Sequence, residues 1–319
     1  MNNKHNIGLG TAAIGRPLYI NIKKEIDTEQ FSLFKFKQKG LKVLEEAYNN
    51  GVRYFDTSPG YGIAEQLLVN WLKTKNDSSI QVSTKWGYTY VANFDPHAKQ
   101  HEVKEHSIEK LNEQWEYSKN LLPFLKVYQI HSATLDTGVL DNIDVLNRLH
   151  ELKKENNITI GLTTTGDNQI EVLEKGLSVE IENEKLFQSF QCTYNILDQS
   201  ISKYRDELQS LSGPFIIKEA LANGRLLPNN SFPEYGKLYN YMQHLVEKYN
   251  VAPDAIALRY CIDVFPKAIV LSGANNSLHL QSNLKVKQFV LTEAEIKELT
   301  AYRVSSMLYW KERKRLNWN

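Results

Sequence analysis

Four side chains in this 319-residue sequence are of the types that move protons: Asp56, Tyr61, Lys85 and His131. Asp56 closes the run GVRYFD, and Tyr61 follows it by five residues, beyond a Ser58-Pro59-Gly60 turn. Lys85 ends IQVSTK and His131 ends FLKVYQIH. A phenol with a pKa near ~10 is a poor acid at neutral pH, and a neighbouring ammonium lowers that value. Asp56 paired with Lys85 would keep the lysine charged and placed, while His131 donates or relays a hydrogen bond to the same oxygen. Tyr61 could then protonate a carbonyl oxygen or, as phenolate, take the proton of a hydroxyl. No side chain supplies hydride, so this chemistry needs a bound nicotinamide. Each residue alone has a plain structural reading: a helix cap, loop packing, a solvated strand end, a satisfied histidine. Together they favour the chemical one. No metal set is expected.

The elements that carry these residues alternate in type. Asn6 to Ala13 reads as a Gly-rich strand, followed by a polar insertion from Arg16 to Thr28 and a helix from Phe34 that stops at Asn49-Asn50-Gly51. Val52 to Phe55 is a second strand, with the apolar face Ile63, Leu67, Leu68 and Trp71 on the helix after it. Further strands are expected at 80–85, 124–131, 158–163, 187–194, 215–219 and 267–271. Helices lie between them, including one over 198–211 and one that opens with a Thr292-Glu293-Ala294-Glu295 capping box. The stretch from Trp86 to Glu102 reads as a long polar loop. Eight strand–helix units over 1–319, with no linker or repeat, point to a single-domain (β/α)8 TIM barrel. A doubly wound sheet is the competitor, but Gly8, Gly10 and Gly15 do not fit its GxGxxG spacing. On a barrel, Asp56, Lys85 and His131 sit at the ends of three consecutive strands, on one rim.

Composition removes other classes. Hydrophobic residues make up 42%, and 38 basic against 37 acidic residues leave a formal charge of +1, giving no basis for nucleic acid as a partner. No apolar run approaches the ~18 residues of a membrane span, and MNNKHNIGLG lacks a signal-peptide core, so a cytoplasmic protein is expected. Cys192 and Cys261 lie in apolar runs and read as buried free thiols.

GVRYFDTSPGYG, followed by VSTK and YQIH, resembles the aldo-keto reductase superfamily, whose signature is a GxRxxDTxxxYG-type segment. Its catalytic Asp, Tyr, Lys and His match Asp56, Tyr61, Lys85 and His131. IGLGTAAIG is similar to the family's first strand, and FQCTYNIL to its sixth-strand FxQxxYN segment, which implies that Gln191 meets the nicotinamide carboxamide. LSGANNSLHLQSNL is similar to the clamp usually written IPGASSPEQLEENL. The resemblance implies cofactor contacts at Gly10, Thr11, Thr163, Thr164, Gln191, Lys218, Leu221, Gly273, Ala274, Asn275, His279 and Asn283. It implies NADP, with NAD as the other option, a small carbonyl or sugar substrate, and a monomer.

Departures from the family pattern are specific. Thr163-Thr164 stands where a Ser-Asn pair usually holds the carboxamide. Lys218 replaces an aromatic residue that stacks on the nicotinamide, and could instead meet a substrate oxygen or a phosphate. Gly273 and His279 replace the Lys and Arg that bind the 2′-phosphate, and neither makes Arg's bidentate contact. Tyr19, Trp86, Tyr88 and Trp310, with Ile20, Tyr90 and Trp318, are expected to wall the substrate. KWGY and KEALANG look most like the sugar dehydrogenase branch, which puts lactol oxidation beside aldehyde reduction. The other readings are a nucleotide-binding sensor or regulatory subunit, and an aldolase or isomerase using Lys85 as a Schiff base.

Overall fold

The computed structural model describes residues 7–18, 20–22, 31–95 and 97–318. Eight parallel strands close into one barrel in sequential order: β1 (Ile7–Gly10), β2 (Tyr54–Asp56), β3 (Gln81–Trp86), β4 (Leu125–Ile130), β5 (Thr159–Thr163), β6 (Ser189–Thr193), β7 (Phe215–Lys218) and β8 (Ile269–Ser272). Parallel strands in a barrel are covered on both faces, and β6 is buried at every position, its polar Ser189, Gln191 and Thr193 included.

The helices around the barrel begin with α1 (Leu33–Asn49) and α2 (Ala64–Leu72). Ser32 caps α1 by accepting the Lys35 N–H, and Gly51, at φ +84°, takes the left-handed turn that ends it. Outer-layer helices continue with α3 (Ile108–Ser118), α4 (Ile143–Asn156), α5 (Gln169–Ser178), α6 (Gly236–Tyr249), α7 (Pro253–Val264) and α8 (Ser277–Leu284). Two more, α9 (Glu293–Ala301) and α10 (Ser306–Arg313), close the chain, and the expected capping box at Thr292 and Glu295 starts α9. The interface between barrel and helices is a continuous apolar core, in which Phe55 meets Trp71 at 5.1 Å between ring centroids.

Three segments differ from the sequence expectation. The first strand ends at Gly10, and Ala12–Gly15 is one helical turn. The Thr11 N–H and hydroxyl both donate to the Asp56 carbonyl, which pulls the chain out of the barrel wall. The stretch after Trp86 is not all loop: Tyr88–Tyr90 pairs antiparallel with Glu102–Lys104 as a hairpin on the rim. Gly87 allows the turn from β3 into this hairpin, with φ +104° and a would-be Cβ 2.3 Å from the His106 ring. The helix expected over 198–211 is a 3-10 turn (Ser200–Tyr204) and a short helix (Arg205–Gln209). Asp198 Oδ1 accepts from both the N–H and the hydroxyl of Ser200, and such local bonds compete with a helix start. Tyr19 and residues 23–30 of the polar insertion lie outside the described residues. Both cysteines are free and buried. Among the described residues no helix is long and apolar enough to cross a membrane.

Candidate active site

Strand register sets the first part of the site. On β2, Asp56 stands beside Gly10 of β1 and Ser83 of β3, and Lys85 lies two residues further along β3. The Lys85 ammonium reaches Asp56 Oδ2 at 2.5 Å and also donates to the Thr57 carbonyl at 2.9 Å. Asp56 Oδ1 accepts from the Ser83 hydroxyl at 2.7 Å and the Gln191 amide at 2.8 Å. Side-chain exposures of 0% and 3% make this a fully desolvated pair, which holds only because the carboxylate is surrounded by donors.

The loop after β2 sets the second part. The Ala12–Gly15 turn packs so closely on it that a Cβ on Gly15 would lie 2.1 Å from the Tyr61 carbonyl. Two cations stand near Tyr61, with Lys85 Nζ 4.8 Å and the Arg16 guanidinium 5.3 Å from its ring centroid. Its hydroxyl lies 3.5 Å from His131 Nε2. On the other side of the imidazole, Nδ1 is 3.2 Å from the Ser58 hydroxyl, which already accepts the Gly60 N–H. Ser58 is thus free to donate to Nδ1, an assignment that leaves Nε2 protonated and aimed at the Tyr61 oxygen.

Charge and burial determine which groups hold protons. Burial pushes the Tyr61 phenol well above its ordinary value, Asp56 adds to the rise, and Arg16 is the cation that opposes it. Burial, then Lys85, Lys218 and Arg16, drive His131 well below the ordinary imidazole range. At neutral pH the phenol is therefore protonated and the imidazole neutral. Arg16 is a second cation beside the phenol, in addition to the Lys85 expected there.

A cleft of about 460 Å³ opens beside Tyr61 and extends to the start of α8. Gly10, Gln191, Lys218, Leu221, Gly273, Ala274, Asn275, His279 and Asn283 all line it. The Asn283 amide is bracketed by the Ser272 hydroxyl (2.6 Å) and Asp254 Oδ2 (2.6 Å). Asn276 caps α8 by accepting the His279 N–H at 2.9 Å. A Cβ on Gly273 would meet nothing within 4 Å, so backbone there is open to close approach by a ligand. An uncovered glycine before a capped helix start is the arrangement that takes phosphates, and a dinucleotide fits this cleft.

Other expected contacts sit elsewhere. Thr11, Thr163 and Thr164 are fully buried. The Thr163 hydroxyl accepts the Ser132 N–H at 2.6 Å and so fixes the turn after His131, where Ser132 has φ +48°. Thr164 donates to Gln169 at 3.1 Å. The Gln191 amide N–H is directed to Asp56. Of the expected aromatic wall, Tyr88 is half-buried with its ring 4.5 Å from that of His131, and Trp318 lies over Arg16 at 4.7 Å. Trp86 and Trp310 are 0% and 2% exposed, packed against His106 and Tyr309, and present no face to a ligand. Arg16, Ser58, Ser83 and Asp254 belong to the site although no sequence pattern singled them out. Ser58 had only its place in the turn beside Tyr61 as a signal, and the other three depend on contacts distant in sequence.

Comparison with known proteins agrees with the barrel. The aldo/keto reductase family model matches residues 6–303. A glycerol dehydrogenase from Gluconobacter oxydans superposes with a TM-score of 0.70 at 20% identity, over 95% of each chain. The holo form of an aldo-keto reductase from Bacillus halodurans gives 0.67 at 20% identity, over 94% of this chain and 92% of that one. By sequence, the uncharacterized oxidoreductase YqkF of Bacillus subtilis is 24% identical over 303 residues, 87% of this chain and 92% of its own length. With a family model matched along nearly its whole length and a closed eight-stranded barrel, the chain belongs to the aldo/keto reductase family.

Proposed function

We propose that the protein interconverts a carbonyl and an alcohol, with Tyr61 as the group that gives or takes the proton. The observation that carries this reading is the Tyr61 hydroxyl on the cleft wall, 3.5 Å from His131 Nε2 and backed by the buried Lys85–Asp56 pair. A nicotinamide held in the cleft would supply or accept the hydride. Tyr61 donates its proton to the carbonyl oxygen in reduction, and Lys85 and Arg16, 4.8 Å and 5.3 Å from its ring centroid, stabilise the phenolate left behind. His131, its tautomer set by Ser58, donates from Nε2 to the same oxygen. Gly273 and the start of α8 would hold the cofactor phosphates, and Asn283 the adenosine.

The residues at that end of the cleft favour NAD, although the family resemblance alone put NADP first. Among the described residues, Asp254, Ser272, Gly273, Ala274, Asn275, His279 and Asn283 line it without a lysine or arginine, and the described lining cations, Arg16 and Lys218, both act on His131 at the other end. A carboxylate suits a ribose hydroxyl and repels a 2′-phosphate. Substrates are small aldehydes, ketones or sugar lactols. Tyr61→Phe is expected to lower turnover by about 10² to 10⁴, the usual contribution of general acid catalysis, with nucleotide binding retained. Unchanged turnover would overturn the assignment.

A further inference from the structure

Nearly every charge at the reaction end of the cleft is matched. Lys85 is paired with Asp56 at 2.5 Å, Arg16 with Glu102 at 2.7 Å, and Arg313 with Glu219 at 2.7 Å. Both Glu219 oxygens are already engaged: Oε1 takes Arg313 and Oε2 takes the Tyr309 hydroxyl at 3.0 Å. Lys218 is the exception. It ends β7 half-buried and lines the same cleft as Tyr61, and among the described residues no hydrogen bond or ion pair reaches its ammonium. Glu219, the next residue, has φ +55°, and its carboxylate is committed to Arg313 and Tyr309.

An ammonium withdrawn from water without a counterion is costly, and the cost is recovered when an anion enters beside it. The charge is also close enough to the chemistry to be felt there. Lys218 is among the cations that hold His131 neutral, and burial with the nearby Arg313 and Lys85 outweighs Glu219 in lowering Lys218 itself to about 8.

We propose that Lys218 is a substrate-recognition residue that binds an anionic group, a carboxylate or a phosphate ester, carried by the carbonyl substrate. This rests on the reading that the carbonyl sits at Tyr61. The substrates are then oxo acids, acidic sugars or phosphorylated aldehydes rather than neutral ones. The cofactor's own phosphates have a separate cradle, at Gly273 and the start of α8.

The test uses matched pairs with each reduced nucleotide: succinic semialdehyde against butanal, 4-carboxybenzaldehyde against benzaldehyde, glyceraldehyde 3-phosphate against glyceraldehyde. Wild-type kcat/KM should favour the anionic member of at least one pair by about tenfold or more, the typical effect of one charge-assisted hydrogen bond. Lys218→Met should abolish that preference through KM, and Lys218→Arg should keep most of it. Nucleotide dissociation constants, read by fluorescence, should shift by less than about threefold in both variants, the range of context effects rather than of a lost contact. A wild-type preference for neutral members overturns the proposal even if neither variant folds. So does a preference that survives in Lys218→Met, or a comparable loss of nucleotide affinity, which would assign Lys218 to the cofactor. Turnover of no pair while nucleotide binds would instead refute the oxidoreductase reading, and this proposal with it.

Discussion

The Lys85–Asp56 pair allows a prediction with a calculable ceiling. Side-chain exposures of 0% and 3% mean that removing one partner strands the other charge in the barrel. The penalty cannot exceed the cost of neutralising the stranded group. For Lys85→Met at pH 7, protonating a carboxylate of ordinary pKa near 4 costs about 4 kcal/mol; for Asp56→Asn, deprotonating a lysine of ordinary pKa near 10.4 costs about 4.6 kcal/mol. Both ceilings fall within the ~3–5 kcal/mol observed when buried pairs are broken. Asp56 would keep its bonds from Ser83 and Gln191, so Lys85→Met should fall well below its ceiling, at about 2–3 kcal/mol. Lys85 would keep the Thr57 carbonyl and the Tyr61 ring, neither of which is a counterion, so Asp56→Asn should approach its own. The pH dependences must have opposite signs. A stranded carboxyl, raised above its unfolded value, loses stability as pH rises; a stranded lysine, depressed below its unfolded value, loses stability as pH falls. Urea unfolding of both single variants and the double variant at pH 5.5, 7 and 8.5 measures all of this. The double variant should be no less stable than Asp56→Asn alone. Additive losses, or pH slopes of the same sign, would refute the idea that these groups exist as one desolvated pair.

Three further outcomes are expected, besides those for Tyr61 and Lys218. NADH should bind at least about tenfold more tightly than NADPH, the effect of one missing charge-assisted contact, and Gly273→Lys with His279→Arg should narrow or reverse the ratio; fluorescence titration in which wild type favours NADPH would sink the cofactor assignment. Glu65 is buried under hydrogen bonds from Thr84 and Ser118, and burial raises it to about 7. A raised carboxyl contributes stability below its ordinary value and loses it as pH climbs to the folded one, so wild type should weaken between about pH 4.5 and 7. Glu65→Gln should flatten that slope in thermal melts, and an unchanged slope would show that another group titrates. Anion preference through Lys218, which faces Glu219, Arg313, Lys85, Cys192 and His131, should fade as pH rises through about 8, and a pH-independent preference between pH 7 and 9.5 would contradict it.

The site was legible in the sequence where a single local segment carries the chemistry. Asp56 and Tyr61 are separated by one turn, and Lys85 and His131 each close an apolar run, so strand periodicity alone put them on a common rim. Cofactor contacts were legible as positions more than as roles. Gly273, Asn275, His279 and Asn283 do line the cleft, whereas Thr163 and Thr164 are occupied by Ser132 and Gln169. The substrate wall was read least well. Trp86 and Trp310 fall into the core because aromatic composition says nothing about which face of a strand or helix a ring occupies.

The sequence by itself determined the barrel, the order of its strands and the residue types on the rim. Those follow from alternation of apolar strands with amphipathic helices, which is a local property of the chain. Only the tertiary structure decided how the charges pair. Arg16 reaches Glu102 across 86 residues and Gln191 reaches Asp56 across 135, and no periodicity encodes such distances. That pairing joins Lys85 to Asp56 beside the Tyr61 ring, adds Arg16 as a second cation near the phenol, and leaves Lys218 as a cleft-lining cation whose ammonium has no side-chain partner among the described residues. A charge acts through whatever lies within a few ångströms of it, and folding alone brings those neighbours together.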